Sequence, residues 1–224
     1  MVRVMDCCFC KEHQNPLQSQ FYLQIGNKIN RISRILCETD NWYAIPSIGS
    51  LTVGYVLLVC KQHHLSLATL SKDLFDEMLQ LKAQVEAVLF RELGLQCITF
   101  EHGITHSEAN GANSVDHIHI HILPFSGPIW SSISSHFCSH SFSNVNSYEE
   151  LYKSWLSEKP HSYLLFQDTD ERIYYISNAE NMPSQLFRRQ LAPYLGAECW
   201  DWRSEQYLDN IIKTIQLFEN TSSN

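Results

Sequence analysis

The strongest pattern of apolar and polar positions along the chain is helical and lies between residues 71 and 93. Apolar side chains recur there at intervals of three and four positions, Ser71 precedes the first of them, and Gly94 follows the last. That spacing puts the apolar residues on one side of a helix, serine is a favoured N-cap, and glycine is a favoured terminator. The pattern predicts one long amphipathic helix from Ser71 to Leu93.

Shorter apolar segments on either side of this helix are typical of β-strands. They are rich in Val, Leu, Ile and aromatic residues, and turn residues such as Asp40-Asn41 separate them. The predicted strands cover residues 34–38, 42–45, 50–60, 96–101 and 115–123. This order of strands and helix favours an α+β fold on an antiparallel sheet.

The chain after Pro124 has a different composition. Residues 126–147 are crowded with serine, which predicts a long loop or lid. Beyond them, the pattern predicts a hairpin near 163–176 and two helices near 183–194 and 204–218. The expected organisation is a first domain over 1–125, a Ser-rich loop over 126–147, and an α+β extension over 148–224 packed on the first domain.

Composition and charge narrow the class of partner. The 224 residues are 44% hydrophobic and carry a formal net charge of −8. Sequence-specific binding of nucleic acid needs a basic surface and is not expected, whereas a small anionic ligand can still bind in a local pocket. No apolar segment approaches the roughly 18 residues of a membrane span, and no secretory signal precedes the cysteines. We expect a cytoplasmic protein with no membrane partner and with reduced thiols.

The chemistry is concentrated in the run His117-Ile118-His119-Ile120-His121. Side chains alternate along a strand, so the three histidines share one face at spacings of roughly 6.5 Å. An imidazole can act as a nucleophile, acid, base or metal ligand near neutral pH. The alternative is a strand whose histidines merely alternate with core residues, but three histidines in a row are a poor choice for a solvated face.

Cys7 and Cys10 form a Cys-x-x-Cys pair near the start of the chain. This spacing lets two thiolates bind one tetrahedral metal ion, and thiolates favour zinc over magnesium or calcium. Cys8 offers a different pairing, and the two cysteines can also be ordinary thiols. A redox pair is a further alternative, although no thioredoxin-like βαβ pattern surrounds it.

These segments resemble the histidine-triad superfamily, whose signature alternates three histidines with hydrophobic residues. The resemblance spans residues 7–125, with the signature at 113–124 and a strand leading into a Lys-x-His element at 54–63. It implies that His119 is the nucleophile and forms a covalent nucleotidyl-histidine intermediate. It further implies that His121 contacts the scissile phosphate and that Ser114 helps to hold the phosphate or the leaving group.

The zinc-containing branch of the superfamily completes the cysteine pair with the Lys-x-His histidine and the first triad histidine. The resemblance therefore implies a structural Zn2+ bound by Cys7, Cys10, His63 and His117. Such a closed site would tie the N-terminus to the triad strand rather than activate water. His13 and His64 are the candidates for a different ligand set.

The chain departs from the family pattern in the segment that should bind the substrate. Asn113 stands where the family commonly has Gln, and Glu101-His102-Gly103 stands where it has Asn-x-Gly. The latter is either a variant phosphate loop or a simple turn. The candidate substrate-binding residues are Glu101, His102, Asn113, Ser114 and His121.

The resemblance implies a nucleotide hydrolase that acts on a dinucleoside polyphosphate, a nucleoside phosphoramidate or a related nucleotide conjugate. A nucleotidyltransferase using the same intermediate is the first alternative, and a non-catalytic nucleotide-binding protein with a structural zinc is the second. Family members are usually homodimers, so we expect a homodimer with the helix 71–93 as a candidate interface.

The resemblance to the core family does not extend to the C-terminal hundred residues. Arginines suit bidentate phosphate contacts, so Arg188, Arg189 or Arg203 could reach a polyphosphate or a second substrate. The preferred interpretation is that the arginines form surface ion pairs and that Trp200 and Trp202 pack in a core.

Overall fold

The computed structural model describes residues 7–106, 115–137, 142–179 and 182–221. The α-helices of these segments are α1 (Cys8–Gln14), α2 (Lys72–Leu93), α3 (Trp130–Ile133), α4 (Tyr148–Ser157), α5 (Leu186–Leu191) and α6 (Leu208–Thr221). The strands are β1 (Cys37–Glu38), β2 (Trp42–Pro46), β3 (Val56–Cys60), β4 (Gln96–Ile104), β5 (His119–Phe125), β6 (Ser143–Val145), β7 (Ser162–Gln167) and β8 (Ile173–Ser177). Shorter helical turns lie at Pro16–Gln18, Tyr22–Gly26, Leu67–Thr69, Ser134–Phe137 and Ala192–Leu195.

All eight strands form one antiparallel sheet in the order β1-β2-β3-β5-β4-β7-β8-β6. This confirms the predicted α+β class. The extension joins the sheet directly, because β7 pairs with β4 from Thr99 opposite Gln167 to Ile104 opposite Ser162. The sheet therefore runs without a break from the first part of the chain into the extension.

The long helix α2 forms where the apolar period predicts it. Its C-cap Gly94 takes a left-handed conformation (φ 69°), and the Gly94 amide donates to the Phe90 carbonyl. Gly lacks the Cβ that makes this conformation costly for other residues. The helix buries one face, and full burial of each large apolar side chain contributes roughly 1.5–3 kcal/mol. That face consists of Phe75, Met78, Leu81, Val85 and Leu89.

The prediction of a loop over 126–147 is wrong for the part that the structure describes. Helix α3 forms there, and its first amides, those of Ile129 and Trp130, donate to the buried carboxylate of Asp168. Trp130 stacks on Tyr174 with ring centroids 4.2 Å apart. A few buried aromatic residues therefore decide the structure of a segment whose serine content is typical of a loop.

Other element boundaries also differ from the prediction. Strand β3 begins at Val56 rather than at residue 50, because residues 47–55 form turns in which the Tyr55 amide donates to the Thr52 carbonyl. Strand β5 begins at His119 rather than at residue 115. The sequence patterns did not predict α1 or α4.

Each face of the sheet is covered by helices. Helices α2 and α4 pack on one face, where Ile118, Ile120 and Ile122 are buried. Residues of α1, α3 and α5 pack on the other face, around Phe100. None of the described helices combines the length and the apolar content needed to cross a bilayer.

Candidate functional site

Strand β5 points two of the three histidines at a cleft. The isoleucines between them are buried on the opposite face, as the alternation predicts. His119 lies opposite Val59 and His121 opposite Leu57 on β3, and His121 stacks on Phe100 of β4 with ring centroids 4.4 Å apart. Rigid strands on both sides therefore hold the two imidazoles in place.

The cleft is enclosed by parts of the chain that are distant in sequence. Its floor is the sheet, and its walls come from the segment of α1 and from α5 of the extension. Chemically active side chains that line it include Arg34, His102, His119, His121 and Arg188.

The protonation of His119 follows from its hydrogen bond. Its Nδ1 lies 2.7 Å from the carbonyl oxygen of His117. A carbonyl oxygen only accepts hydrogen bonds, so Nδ1 carries the hydrogen and donates it. Burial lowers the pKa of His119, which keeps the ring neutral near pH 7. The lone pair of the neutral ring is therefore on Nε2, as a nucleophilic imidazole requires.

His121 is held by a different partner. Its Nδ1 lies 2.7 Å from the hydroxyl of the buried Tyr55. Burial lowers the pKa of His121 well below its usual value, and the proximity of a second imidazole, His119, and of the Arg188 guanidinium lowers it further. The ring is therefore neutral and fixed beside His119.

The two adjacent residues Glu101 and His102 lie on opposite faces of β4. His102 lines the cleft, and neither ring nitrogen forms a hydrogen bond of good geometry with a described residue. Burial lowers the pKa of His102 to about 4, although the nearby Ala179 backbone offsets part of this shift. Glu101 faces the opposite core, where its carboxylate accepts from the Leu67 amide at 3.0 Å and from the Tyr163 hydroxyl. Burial raises the pKa of Glu101 to about 8.

The structure therefore brings His102, His119 and His121 together in the cleft and leaves Glu101 out of it. Asn113 and Ser114 lie outside the described residues. The predicted strand stopped at Glu101, but β4 continues to Ile104. The period-2 alternation of a longer strand would have separated Glu101 from His102 in advance.

The four predicted metal ligands converge on one point. The candidate ligand atoms of Cys7, Cys10, His63 and His117 all lie within 4.8 Å of one another. The Nδ1 atom of His117 is 3.2 Å from Cys7 Sγ and 3.5 Å from Cys10 Sγ, and the Nδ1 atom of His63 is 3.4 Å from Cys10 Sγ. These contacts join parts of the chain up to 110 positions apart.

The orientation of His117 fits a metal ligand. Its Nε2 lies 2.8 Å from the carbonyl oxygen of Cys60, so Nε2 carries the hydrogen and Nδ1 presents its lone pair to the thiols. Such a hydrogen bond on the outer nitrogen is typical of ligating histidines. Two sulfur and two imidazole donors make a closed set that can hold a metal ion. Cys8 instead lines the cleft, and His13 stacks on Tyr43.

Two features of the cleft were not predicted from the sequence: the contact of Tyr55 with His121 and the burial of Arg188. Tyr55 precedes β3 and stands where the histidine-triad pattern usually has His; no role was predicted for it, yet its hydroxyl contacts His121. Arg188 was expected on the surface, but it is 3% exposed and lines the cleft, whereas the adjacent Arg189 is exposed and lies over the Trp200 ring. No local signal separates the two arginines. Only the packing of α5 does so.

A comparison with protein families supplies the decisive observation. The model of the family described as the HIT domain, where HIT stands for histidine triad, matches residues 29–127. Residues 29–127 therefore resemble a HIT domain. The match contains His63 and all three triad histidines, and it excludes Cys7, Cys10 and the extension. A comparison with curated protein sequences gives no significant match.

Solved structures similar to this chain include several HIT proteins. A hypothetical histidine triad nucleotide-binding protein from Sulfolobus tokodaii is 17% identical, with a TM-score of 0.39 over 53% of this chain and 68% of its own. A HIT family protein from Bacillus anthracis is 17% identical, with a TM-score of 0.40 over 55% and 74%. A zinc-bound histidine triad family protein from Mycobacterium smegmatis is 18% identical, with a TM-score of 0.39 over 55% and 76%.

Proposed function

We propose that the chain is a nucleotide hydrolase that acts at a phosphate of a dinucleoside polyphosphate, a nucleoside phosphoramidate or a related nucleotide conjugate. The resemblance of residues 29–127 to a HIT domain supports a nucleotide-binding hydrolase or transferase in general. The observation that carries the specific proposal is the state of His119. Its ring is neutral, its Nδ1–H is engaged by the His117 carbonyl, and its Nε2 holds a lone pair in a residue that lines the cleft.

The reaction would proceed in two displacements. His119 Nε2 attacks the phosphorus, an N–P bond forms, and the bond from phosphorus to the leaving group breaks with its electron pair on the leaving group. Water then attacks the same phosphorus and releases a proton to the solvent, the N–P bond breaks, and the electron pair returns to Nε2. The first displacement is easier than direct attack by water because the imidazole is the better nucleophile, and the second is easier because the imidazole is a good leaving group.

The neighbouring groups would stabilise the charge that develops on the phosphoryl oxygens. We assign contact with the scissile phosphate to His121, and contact with the phosphate or leaving group to Ser114 and Asn113. The neutral His102 would serve as a hydrogen-bonding partner for the substrate. Glu101 is not part of this proposal, because its carboxylate is engaged on the other face of the sheet.

We further propose that Cys7, Cys10, His63 and His117 bind a structural zinc ion. When bound, zinc supplies a cross-link between the N-terminal segment and the triad strand. The residues themselves carry the case: two thiols and two imidazoles converge, and His117 Nδ1 presents a lone pair to both thiols. Metal analysis tests this, with zinc near one equivalent expected in the native protein and in Cys8→Ser but lost in Cys10→Ser. Equal, near-zero zinc in all three would remove the site.

The test of the reaction is a panel of nucleotide conjugates combined with mass spectrometry. We expect turnover of at least one conjugate and a nucleotidyl adduct on the peptide that contains His119. His119→Ala should abolish both, whereas His161→Ala, a change at an exposed histidine, should preserve both. If no conjugate turns over and His119→Ala leaves nucleotide affinity unchanged, the non-catalytic binding protein becomes the correct interpretation.

The same intermediate would support transfer to a phosphorylated acceptor in place of water. Arg188 favours this transferase reaction. It is a buried arginine of the extension that lines the cleft, and it offers a binding site for a second anion. Product analysis with and without phosphorylated acceptors separates the two reactions. The homodimer, the cytoplasmic location and the division into domains at 125 and 148 remain predictions from the sequence.

A further inference from the structure

Arg188 is a buried cation in the wall of the cleft that holds His119 and His121. It belongs to α5, in the extension beyond the HIT domain, and it is 3% exposed. Burial of a guanidinium is costly unless its charge is compensated and its N–H groups are hydrogen-bonded. The groups that surround Arg188 therefore indicate which kind of ligand its guanidinium can bind.

The side chain is fixed by backbone oxygens. Its Nε donates to the Trp200 carbonyl at 2.9 Å, its Nη2 donates to the Gly49 carbonyl at 2.6 Å, and its guanidinium carbon lies 5.4 Å from the centre of the Tyr55 ring. Gly49 has φ +73°, and a Cβ at this position would lie 2.9 Å from Arg188 Nη2 and 2.5 Å from Trp202 Cβ. The close approach therefore requires glycine at position 49.

No carboxylate neutralises this cation within the described part of the chain. The other buried cations are paired: Arg34 with Glu12 at 2.8 Å, and Lys82 with Glu86 at 2.7 Å. The hydrogen bond from Gln185 is the main cause that lowers the pKa of Asp201, and the charge of Arg188 adds a smaller effect. However, the two residues form no ion pair within 4.0 Å, and the Asp201 carboxylate accepts from Gln185 Nε2 and the Arg203 amide.

Arg188 therefore has a fixed position, an uncompensated charge and N–H donors beyond the two that the carbonyls use. A phosphate group would neutralise the charge and accept the remaining N–H groups, because a guanidinium binds phosphate oxygens in a bidentate manner. Tyr55 contacts both residues: the centre of its ring lies 5.4 Å from the guanidinium carbon of Arg188, and its hydroxyl contacts His121 Nδ1. Arg188 is thus placed beside the predicted scissile phosphate rather than on it.

We propose that Arg188 binds a second phosphate group, distinct from the one that His119 attacks. This proposal rests on the proposed function for the position of the first phosphate. The second phosphate belongs either to the polyphosphate of the same nucleotide or to a separate phosphorylated acceptor. In both cases, the extension completes the substrate site that the HIT domain begins.

Calorimetric titrations without turnover test this proposal. The probes are AMP, the non-hydrolysable α,β-methylene analogue of ADP, and inorganic phosphate added to the AMP-bound protein. The proteins are the native chain, Arg188→Gln, and Arg189→Gln as a control that removes the same charge from the exposed neighbour on the same helix. Thermal melts establish that each variant is folded.

We expect the native protein and Arg189→Gln to bind the diphosphate analogue about tenfold or more tightly than AMP, because a charge-assisted bidentate contact is gained. Arg188→Gln should bind the two nucleotides equally. If a separate acceptor is the source, the diphosphate advantage is small, and inorganic phosphate binds beside AMP in the native protein but not in Arg188→Gln. A folded Arg188→Gln that keeps the native preference, or a native protein that shows neither effect, overturns the proposal.

Arg188→Lys covers the case in which Arg188→Gln does not fold. Lysine keeps the charge but lacks the paired N–H donors of a guanidinium, so we expect a reduced preference for the diphosphate analogue. An unchanged preference overturns the proposal. The outcome is also separable from that of the proposed function. A missing adduct on His119 refutes the reaction but does not affect the result of these titrations. An adduct on His119, together with equal nucleotide preferences in the native protein and Arg188→Gln, refutes only the role of Arg188.

Discussion

His117 and His119 lie two positions apart and use opposite ring nitrogens. His117 donates from Nε2 to the Cys60 carbonyl, which leaves Nδ1 for the thiols of Cys7 and Cys10. His119 donates from Nδ1 to the His117 carbonyl, which leaves Nε2 with the lone pair. One backbone carbonyl in each case therefore determines which nitrogen is free, and the free nitrogen suits His117 to a metal and His119 to a phosphorus.

Helix α1 contacts both histidines. Cys10 faces His117, while the ring of Phe9 lies 5.6 Å from the His117 ring and 5.5 Å from the His119 ring. His117 is 1% exposed, whereas His119 is half-buried and lines the cleft. Identical side chains thus acquire different chemistry from a difference in carbonyl partner and in access to the cleft.

The largest effect is expected from His119→Ala. Loss of the proposed nucleophile should reduce turnover by at least about 10⁴-fold, because the residue forms the covalent intermediate. Zinc content should not change, since His119 donates no ligand to the cluster. Steady-state kinetics with metal analysis of the same preparation measures both. A variant that retains a tenth of native turnover would show that His119 is not the nucleophile.

The converse change is Cys10→Ser, which should affect stability more than chemistry. A ligand bound at 100 times its Kd stabilises a protein by about 2.7 kcal/mol, so loss of zinc should lower Tm by about 5 °C or more. Turnover measured well below Tm should fall far less than in His119→Ala. Calorimetric melts with and without a chelator check this. An identical Tm for Cys10→Ser and the native protein would contradict a structural metal.

Tyr55→Phe sharpens the comparison by removing a partner from the cleft alone. Without the hydroxyl, His121 loses its 2.7 Å contact, and we expect turnover to fall about tenfold while zinc content is unchanged. Tyr43→Phe is the matched control, because the buried Tyr43 hydroxyl has no hydrogen-bond partner within the described residues. Equal turnover in the two variants would show that Tyr55 does not position His121.

The smallest effect on turnover is expected from Glu101→Gln, within about twofold, because the side chain faces away from the cleft. Stability should respond instead. Burial raises the pKa of Glu101 from 4.5 to about 8, so the folded state binds more protons than the unfolded state in this interval. Stability contributed by Glu101 therefore falls as pH rises from about 4.5 to about 8. Denaturant titrations should give a smaller decline in the glutamine variant, and an unchanged decline would contradict the shift.

Local sequence patterns were sufficient to predict some features of the fold and the site, but not those that depend on contacts between distant parts of the chain. Helix α2 and the shared face of His119 and His121 follow from periods of 3.6 and 2, which depend only on neighbours in sequence. The position of the Arg188 side chain depends on a hydrogen bond to the Gly49 carbonyl, 139 positions away in sequence. The free nitrogens of His117 and His119 depend on which carbonyl each ring meets, and residue type carries no information about that choice.

Direct observation of the two ring tautomers is the sharpest test of this contrast. Long-range 1H–15N correlation spectra of the zinc-loaded protein, labelled with 15N-histidine and assigned with His119→Ala, report which nitrogen of each ring carries the hydrogen. We predict hydrogen on Nε2 for His117 and on Nδ1 for His119. Hydrogen on Nε2 in both rings would place the His119 lone pair on the wrong nitrogen and would contradict its assignment as the nucleophile.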